Sequence, residues 1–306
     1  MVFFGTRFST KDIPDLSGKI YFVTGGNVGL GKEMILQLAK HNPAHIYLGA
    51  RSQIKAEEAI AELKETVPKA QITWIPVDLA NLQSITEAAK IFQKHSSRLD
   101  VLVNNAGVMA LPNDKTSDGF EIQFGTNHIG SFLLTKLLLP TLQSTAATTG
   151  DARIINLASE AHNFRRMQGL ELDHDKMQEL GVWDAYGNSK FANILFAREH
   201  AKRYPDITSV SIHPGIIVGT GLYASAKDRS FFQKGAFWFG SFFLPDVPTG
   251  ALNQIWASTV SKDKIENGAY YVPVAKVSQG NSTVSNTSRD AELWDWTEHE
   301  LKSKGF

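Results

Sequence analysis

Apolar positions along the chain recur with two periods that take turns. Lys19-Ile20-Tyr21-Phe22-Val23 is a short apolar run of strand composition, and it leads directly into Thr24-Gly25-Gly26-Asn27-Val28-Gly29-Leu30-Gly31. Beyond the glycines, Leu30, Met34, Ile35, Leu38 and Ala39 fall at helical spacing, so Lys32–Lys40 reads as a helix with one apolar face. The alternation continues with a strand at His45–Ala50, an amphipathic helix from Ala56 to Val67 and a strand at Gln71–Val77. Next comes a helix beginning near Leu82, with Leu82, Ile85, Ala88, Ala89 and Phe92 as its buried face, and then Leu99–Val103, a strand apolar on both faces. Such a strand belongs at the centre of a parallel sheet covered by helices. The pattern therefore predicts an α/β fold, doubly wound in the Rossmann manner.

The second half extends this plan. Phe120–Leu142 is helical in pattern, Arg153–Ala158 and Thr208–Ile212 are the fifth and sixth strands, Thr249–Val260 is a helix, and Ala269–Val272 is a last strand. Glu292 to Leu301 suggests a short helix docked by Trp294 and Trp296. The expectation is one domain over residues 1–306, with a central parallel sheet of about seven strands and no internal repeat or linker. The leader before Lys19 is expected on the surface.

Candidate chemistry collects where strands end. Strand, Gly-rich turn and helix at Thr24–Gly31 allow a close backbone approach and offer a helix N-terminus to a pyrophosphate, although the spacing is Gly-x-x-x-Gly-x-Gly. The second strand ends in Ala50-Arg51, where dinucleotide folds that take NAD carry an acid; Arg51 suits the 2′-phosphate of NADP(H), with Asn27 or Lys32 as a helper. Asp78 either hydrogen-bonds the adenine or caps the helix near Leu82. Asn104 is placed to pin its strand to a neighbour, and the small Ala106 and Gly107 let a flat ring approach the backbone. Asn127, polar within a largely apolar helix, needs a buried partner, either a water or the backbone of a site. His128 is assigned to packing or surface. Ser159 stands at the carboxyl end of the fifth strand; with His162 it hints at a serine hydrolase, but the Gly-x-Ser-x-Gly elbow is missing. Tyr186 and Lys190, four residues apart, share one helix face, where an ammonium favours a phenolate and makes the tyrosine a usable acid/base.

Taken in order, Thr24 to Gly31, Asn104 to Gly107, Asn127, Ser159 and Tyr186-x-x-x-Lys190 resemble the short-chain dehydrogenase/reductase family, from roughly Lys19 to Pro273. Ala50-Arg51, Asn127-His128-x-Gly130-x-Phe132, Ser159-x-Ala161-His162 and Tyr186-x-x-Ser189-Lys190-x-Ala192-Asn193 are similar to its retinol-dehydrogenase-like branch, as found among fungal carbonyl reductases. The resemblance implies that Ser159 binds the substrate oxygen, Tyr186 protonates it, Lys190 holds the nicotinamide ribose and tunes Tyr186, and Asn127 anchors a relay water. It implies NADP(H) contacts from Thr24, Gly25, Asn27, Val28, Gly29, Leu30, Gly31, Arg51, Asp78, Leu79, Asn105, Ala106, Gly107, Tyr186 and Lys190. Further contacts would come from Pro214, Gly215, Ile217 and Thr220. Relatives carry Pro-Gly-x-x-x-Thr, whereas here Gly219 takes that place and Thr220 lies one residue later.

Composition narrows the partners. Lys+Arg and Asp+Glu balance at 31 each, which argues against a dedicated nucleic-acid binder. The absence of cysteine excludes disulfides, thiolate nucleophiles and cysteine metal sites, and no metal site is expected. With no signal-peptide core and no run of about 18 apolar residues, a cytoplasmic location is expected. An aromatic-rich segment from Phe231 to Pro245, within a lid at about 222–247, has three readings: an apolar substrate pocket, a face touching a membrane surface, or core and homo-oligomer packing. His162, Phe164, Arg165, Arg166 and Trp183 are candidates for another pocket wall. The expected activity is NADP(H)-dependent reduction of a ketone or aldehyde, or oxidation of the alcohol, on a bulky apolar molecule such as a fungal secondary metabolite or lipid-like compound. A non-catalytic NADP-binding regulator of the same fold is the alternative.

Overall fold

The computed structural model describes residues 8–165, 168–215 and 246–306. Strands β1 (Ile20–Thr24), β2 (His45–Ala50), β3 (Ile72–Pro76), β4 (Val101–Asn104), β5 (Ala152–Leu157), β6 (Ile207–Ile212), β7 (Tyr270–Val272) and β8 (Lys276–Ser278) form one sheet. Their order is β3-β2-β1-β4-β5-β6-β7-β8, parallel except for the antiparallel β7–β8 pair. The eighth strand escapes the apolar pattern because it is a three-residue edge strand, with Lys276 and Val277 exposed.

Among the described residues the α-helices are α1 (Gly29–Ala39), α2 (Gln53–Thr66), α3 (Leu82–His95), α4 (Ile122–Phe124), α5 (Gly130–Thr149), α6 (His174–Glu179), α7 (Val182–Arg203), α8 (Val247–Thr259) and α9 (Arg289–Ser303). Two apolar cores sandwich the sheet. One joins Leu102 and Ile154 to α3, α5, α7 and α9; the other joins Val101, Val103 and Ile155 to α1, α2 and α8. Successive β4 residues thus serve opposite faces, which is why that strand is apolar throughout. The leader is not wholly on the surface: Ile13 and Leu16 are buried in the second core, where burial of two apolar side chains holds the segment down.

Because β1 has β2 on one side and β4 on the other, the crossovers leave in opposite directions at that point, and the carboxyl ends of β1 and β4 open a crevice. Among the described residues no helix is long and apolar enough to cross a membrane.

Candidate active site

A cleft of about 620 Å³ occupies this crevice. Its lining includes Gly25, Asn27, Val28, Gly29 and Leu30 from the glycine turn, Arg51 after β2, Asp78 and Leu79 after β3, and Asn105, Ala106 and Gly107 after β4. Val28 provides no side-chain cap to α1, so among the described residues the first N–H groups of that helix keep no side-chain acceptor, an arrangement suited to an anion.

Two predicted contacts stand behind the lining. Buried Thr24 Oγ1 accepts from the backbone N–H of Asn105 (3.1 Å) and Ala106 (3.0 Å), tying the β1 turn to the β4 loop. Gly31 backs onto the turn: a Cβ there would stand 2.4 Å from the Gly25 carbonyl oxygen, so only glycine lets α1 approach so closely. Pro214 and Gly215 leave the end of β6, with Gly215 at φ +99, and are not part of the lining. Ile217 and Thr220, Arg166, and the aromatic segment within the lid lie outside the described residues.

At the β2 end, Ser52 and Lys55 join Arg51 on the cleft wall, and neither cation has a carboxylate partner among the described residues. Nothing in the sequence pattern marks Lys55, an exposed cation in the first turn of α2. Lys32, expected as a helper, instead pairs its ammonium with Glu62 and is not part of the cleft lining. Asp78 is not the helix cap. Asn81 is, accepting from Ser84 N–H at 2.8 Å, while Asp78 Oδ1 takes the Ala80 N–H at 3.0 Å and Asp78 remains on the cleft wall. Asn104 does pin its strand, its Nδ2 donating to Asn156 Oδ1 on β5 at 2.8 Å. Thr126, which no sequence motif marks, also lines the cleft; its buried Oγ1 has no hydrogen-bond partner among the described residues.

Behind Gly107 stand the groups of the proposed chemistry. A methyl placed on Gly107 would lie 3.0 Å from Asn127 Oδ1 and 3.4 Å from Lys190 Nζ. Lys190 and Tyr186 do share a face of α7, with Nζ 5.6 Å from the Tyr186 ring centroid, and both are buried. Lys190 Nζ donates to the Leu157 carbonyl at the end of β5 (2.9 Å), and burial pulls its pKa down from 10.5 to about 8. Ser159, two residues further, accepts from the Ala161 N–H at 3.1 Å, which leaves its own O–H to donate. The hydrolase pairing fails on geometry: His162 Nδ1 lies 2.7 Å from the Ser159 backbone oxygen, not from Oγ. Tyr270 is no rival acid, because burial, the Glu160 charge and its hydrogen bond to Glu160 Oε1 (3.2 Å) raise its pKa far above the ordinary value.

Of the two roles open to Asn127, its amide takes the backbone. Oδ1 accepts from Val108 N–H at 2.7 Å, and Nδ2 donates to the Val108 carbonyl and to Ser189 Oγ, both at 2.9 Å. Both amide hydrogens are engaged, so a relay water held by Asn127 needs an acceptor atom there. His128 is a packing residue, buried with Nε2 3.0 Å from Thr297 Oγ1. Phe164 and Trp183 make an exposed edge-to-face pair at 6.0 Å, whereas His162 and Arg165 are buried beneath.

Comparison with known proteins fits this arrangement. Residues 19–171 match the family model described as short chain dehydrogenase. A short-chain dehydrogenase/reductase of Aspergillus calidoustus is 35% identical over 95% of this chain and 96% of its own length. Human retinol dehydrogenase 11 is 35% identical over 95% of this chain and 87% of its own. A solved structure of an uncharacterized protein from Mycobacterium paratuberculosis superposes with a TM-score of 0.73 at 26% identity, covering 97% of this chain and 98% of that one. With the family's motifs assembled around one crevice and full-length relatives on this scale of identity, the chain belongs to the short-chain dehydrogenase/reductase family of oxidoreductases and is retinol-dehydrogenase-like within it.

Proposed function

We propose that the protein is an NADP(H)-dependent reductase of a ketone or aldehyde carried by a bulky apolar molecule, working in reverse on the corresponding alcohol. The observation that carries the reading is the pairing of Arg51, Ser52 and Lys55 on the cleft wall after β2, two cations with no carboxylate partner among the described residues, with the buried Tyr186–Lys190 pair that stands behind Gly107. The residues fit such a cofactor. Glycines give room along the turn and after β4, where a Cβ on Gly107 would crowd Asn127 and Lys190, and the N-terminus of α1, without a side-chain cap, suits a pyrophosphate.

When bound, the cofactor supplies the hydride. Arg51 and Lys55 hold the 2′-phosphate, for which a planar guanidinium and a nearby ammonium are suited. Ser159 donates its O–H to the substrate oxygen, where negative charge develops. Tyr186 gives its phenolic proton to the same oxygen, and the Lys190 ammonium stabilises the phenolate left behind. Met109 and Leu111 provide an apolar wall suited to a bulky substrate. A cytoplasmic location is part of this reading.

NADPH consumption with a panel of apolar ketones and aldehydes tests the proposal. Turnover with NADPH well above that with NADH is expected, and Arg51→Ala should lower kcat/KM for NADPH by about 10-fold or more while changing NADH little. Tight NADPH binding without turnover of any carbonyl would instead support a regulator, and an unchanged NADPH-to-NADH ratio in Arg51→Ala would remove the phosphate role.

A further inference from the structure

We propose that Gln123 is a positioning residue for the reaction: the two ends of its side-chain amide hold the cleft wall at Met109–Leu111 in register with the helix that carries Tyr186. This rests on the reading of Tyr186 as the reacting acid. Gln123 is 1% exposed and sits on the short α4 turn. Its Oε1 accepts from the Ala110 N–H at 2.9 Å, and its Nε2 donates to the Val182 carbonyl at 2.8 Å. The two partners belong to different walls of the site. Ala110 lies between Met109 and Leu111, both on the cleft, and Val182 opens α7 four residues before Tyr186.

The wall needs holding. Ala110 has φ 52, a left-handed conformation that a residue with a Cβ adopts at a cost of about 1 kcal/mol or more. A conformation of that kind persists where its surroundings over-determine it, and the bond from Gln123 meets the Ala110 N–H directly.

One turn later the same device is repeated. Asn127, four residues on, binds both backbone groups of Val108 and donates to Ser189 Oγ, which in turn donates to the Tyr186 carbonyl at 2.8 Å. Two amides on one segment thus tie the stretch Val108–Ala110 to α7 on both sides of Tyr186. Asn127 itself lies in a π-helical turn, Gly125–Ile129, a form frequent at functional sites. The spacing between the apolar wall and the phenol is therefore set by Gln123 as well as by Asn127.

The test compares the wild type with Gln123→Met, which keeps the length and removes both hydrogen bonds. NADPH affinity, kcat/KM for a carbonyl substrate and amide hydrogen exchange over residues 108–111 and 182–186 are read together. The expected result is an NADPH Kd within about 2-fold of wild type, a kcat/KM lower by about 10- to 100-fold, and joint loss of protection in both segments. A kcat/KM within about 2-fold of wild type, or exchange that rises in one segment alone, overturns the proposal. If Gln123→Met does not fold, Gln123→Asn, too short to span both partners, carries the same expectations. A wild-type protein that reduces no carbonyl overturns the functional reading and the positioning role with it, while the exchange result independently upholds or removes the bridge itself.

Discussion

Lys190 is an ammonium in a place that disfavours charge. Burial holds its pKa at about 8 against the ordinary 10.5, so at neutral pH the folded protein carries a charge it would be more stable without. The sign follows from proton counting. Between about pH 8 and 10.5 the unfolded chain binds the proton that the folded chain has lost, so stability rises with pH across that window; below it the full cost, about 3 kcal/mol, is present. Lys190→Met should therefore raise the urea midpoint of the cofactor-free protein at pH 7 and flatten its rise above pH 8, while abolishing turnover. The Leu157 carbonyl keeps a donor in that variant, Asn193 Nδ2 at 3.0 Å. Turnover of the wild type should fall as pH rises through about 8, when the ammonium is lost. A midpoint that drops in Lys190→Met would show the lysine to be a net stabiliser and contradict this account.

At the scale of elements, function depends on how closely α7 lies against the turn after β5. Gly187 makes that approach possible: a Cβ there would meet the Ala161 carbonyl oxygen at 2.6 Å, and a backbone atom cannot swing aside as a side chain does. Gly187→Ala should push Tyr186 away from Ser159. We expect kcat to fall about 100-fold with NADPH affinity nearly unchanged, checked by steady-state kinetics beside a cofactor titration. The elements themselves were legible because burial imposes a period. Leu82, Ile85, Ala88, Ala89 and Phe92 predict the buried face of α3, and they are its buried residues. Features set by contacts distant in sequence were not legible. Nothing near Lys32 indicates that Glu62, thirty residues away, takes its ammonium, and nothing near Asn127 indicates that Val108 and Ser189 share its amide. The site was half visible for the same reason: Arg51 stands directly after a strand where the motif places a charge, whereas Lys55, Thr126 and Gln123 show their places only once the strands and helices stand beside one another.

Across the whole molecule, buried histidines set the acid limit. Burial lowers His128 and His200 to about 3 and His213 to about 4, so the fold keeps all three neutral where an unfolded chain protonates them below about 6.5. The unfolded state then binds more protons, and stability is lost as pH falls from 6.5 toward the folded values, at about 1.4 kcal/mol per pH unit for each histidine. His200 lies among the rings of Phe196, Tyr204 and Trp294 with neither ring nitrogen hydrogen-bonded. Replacing it with phenylalanine should make the urea midpoint less sensitive to acid between pH 7 and 5; an unchanged slope would show that His200 is not among the groups responsible.

The central claim, that this cleft reduces a carbonyl with Tyr186 as the acid, meets its most direct test in NADPH consumption by wild-type and Tyr186→Phe proteins on the same apolar carbonyl. Phenylalanine preserves the ring beside Lys190 and removes only the proton donor. The account predicts NADPH binding within about 2-fold of wild type and a kcat reduced by about 100-fold or more. Near-normal turnover by Tyr186→Phe would contradict it.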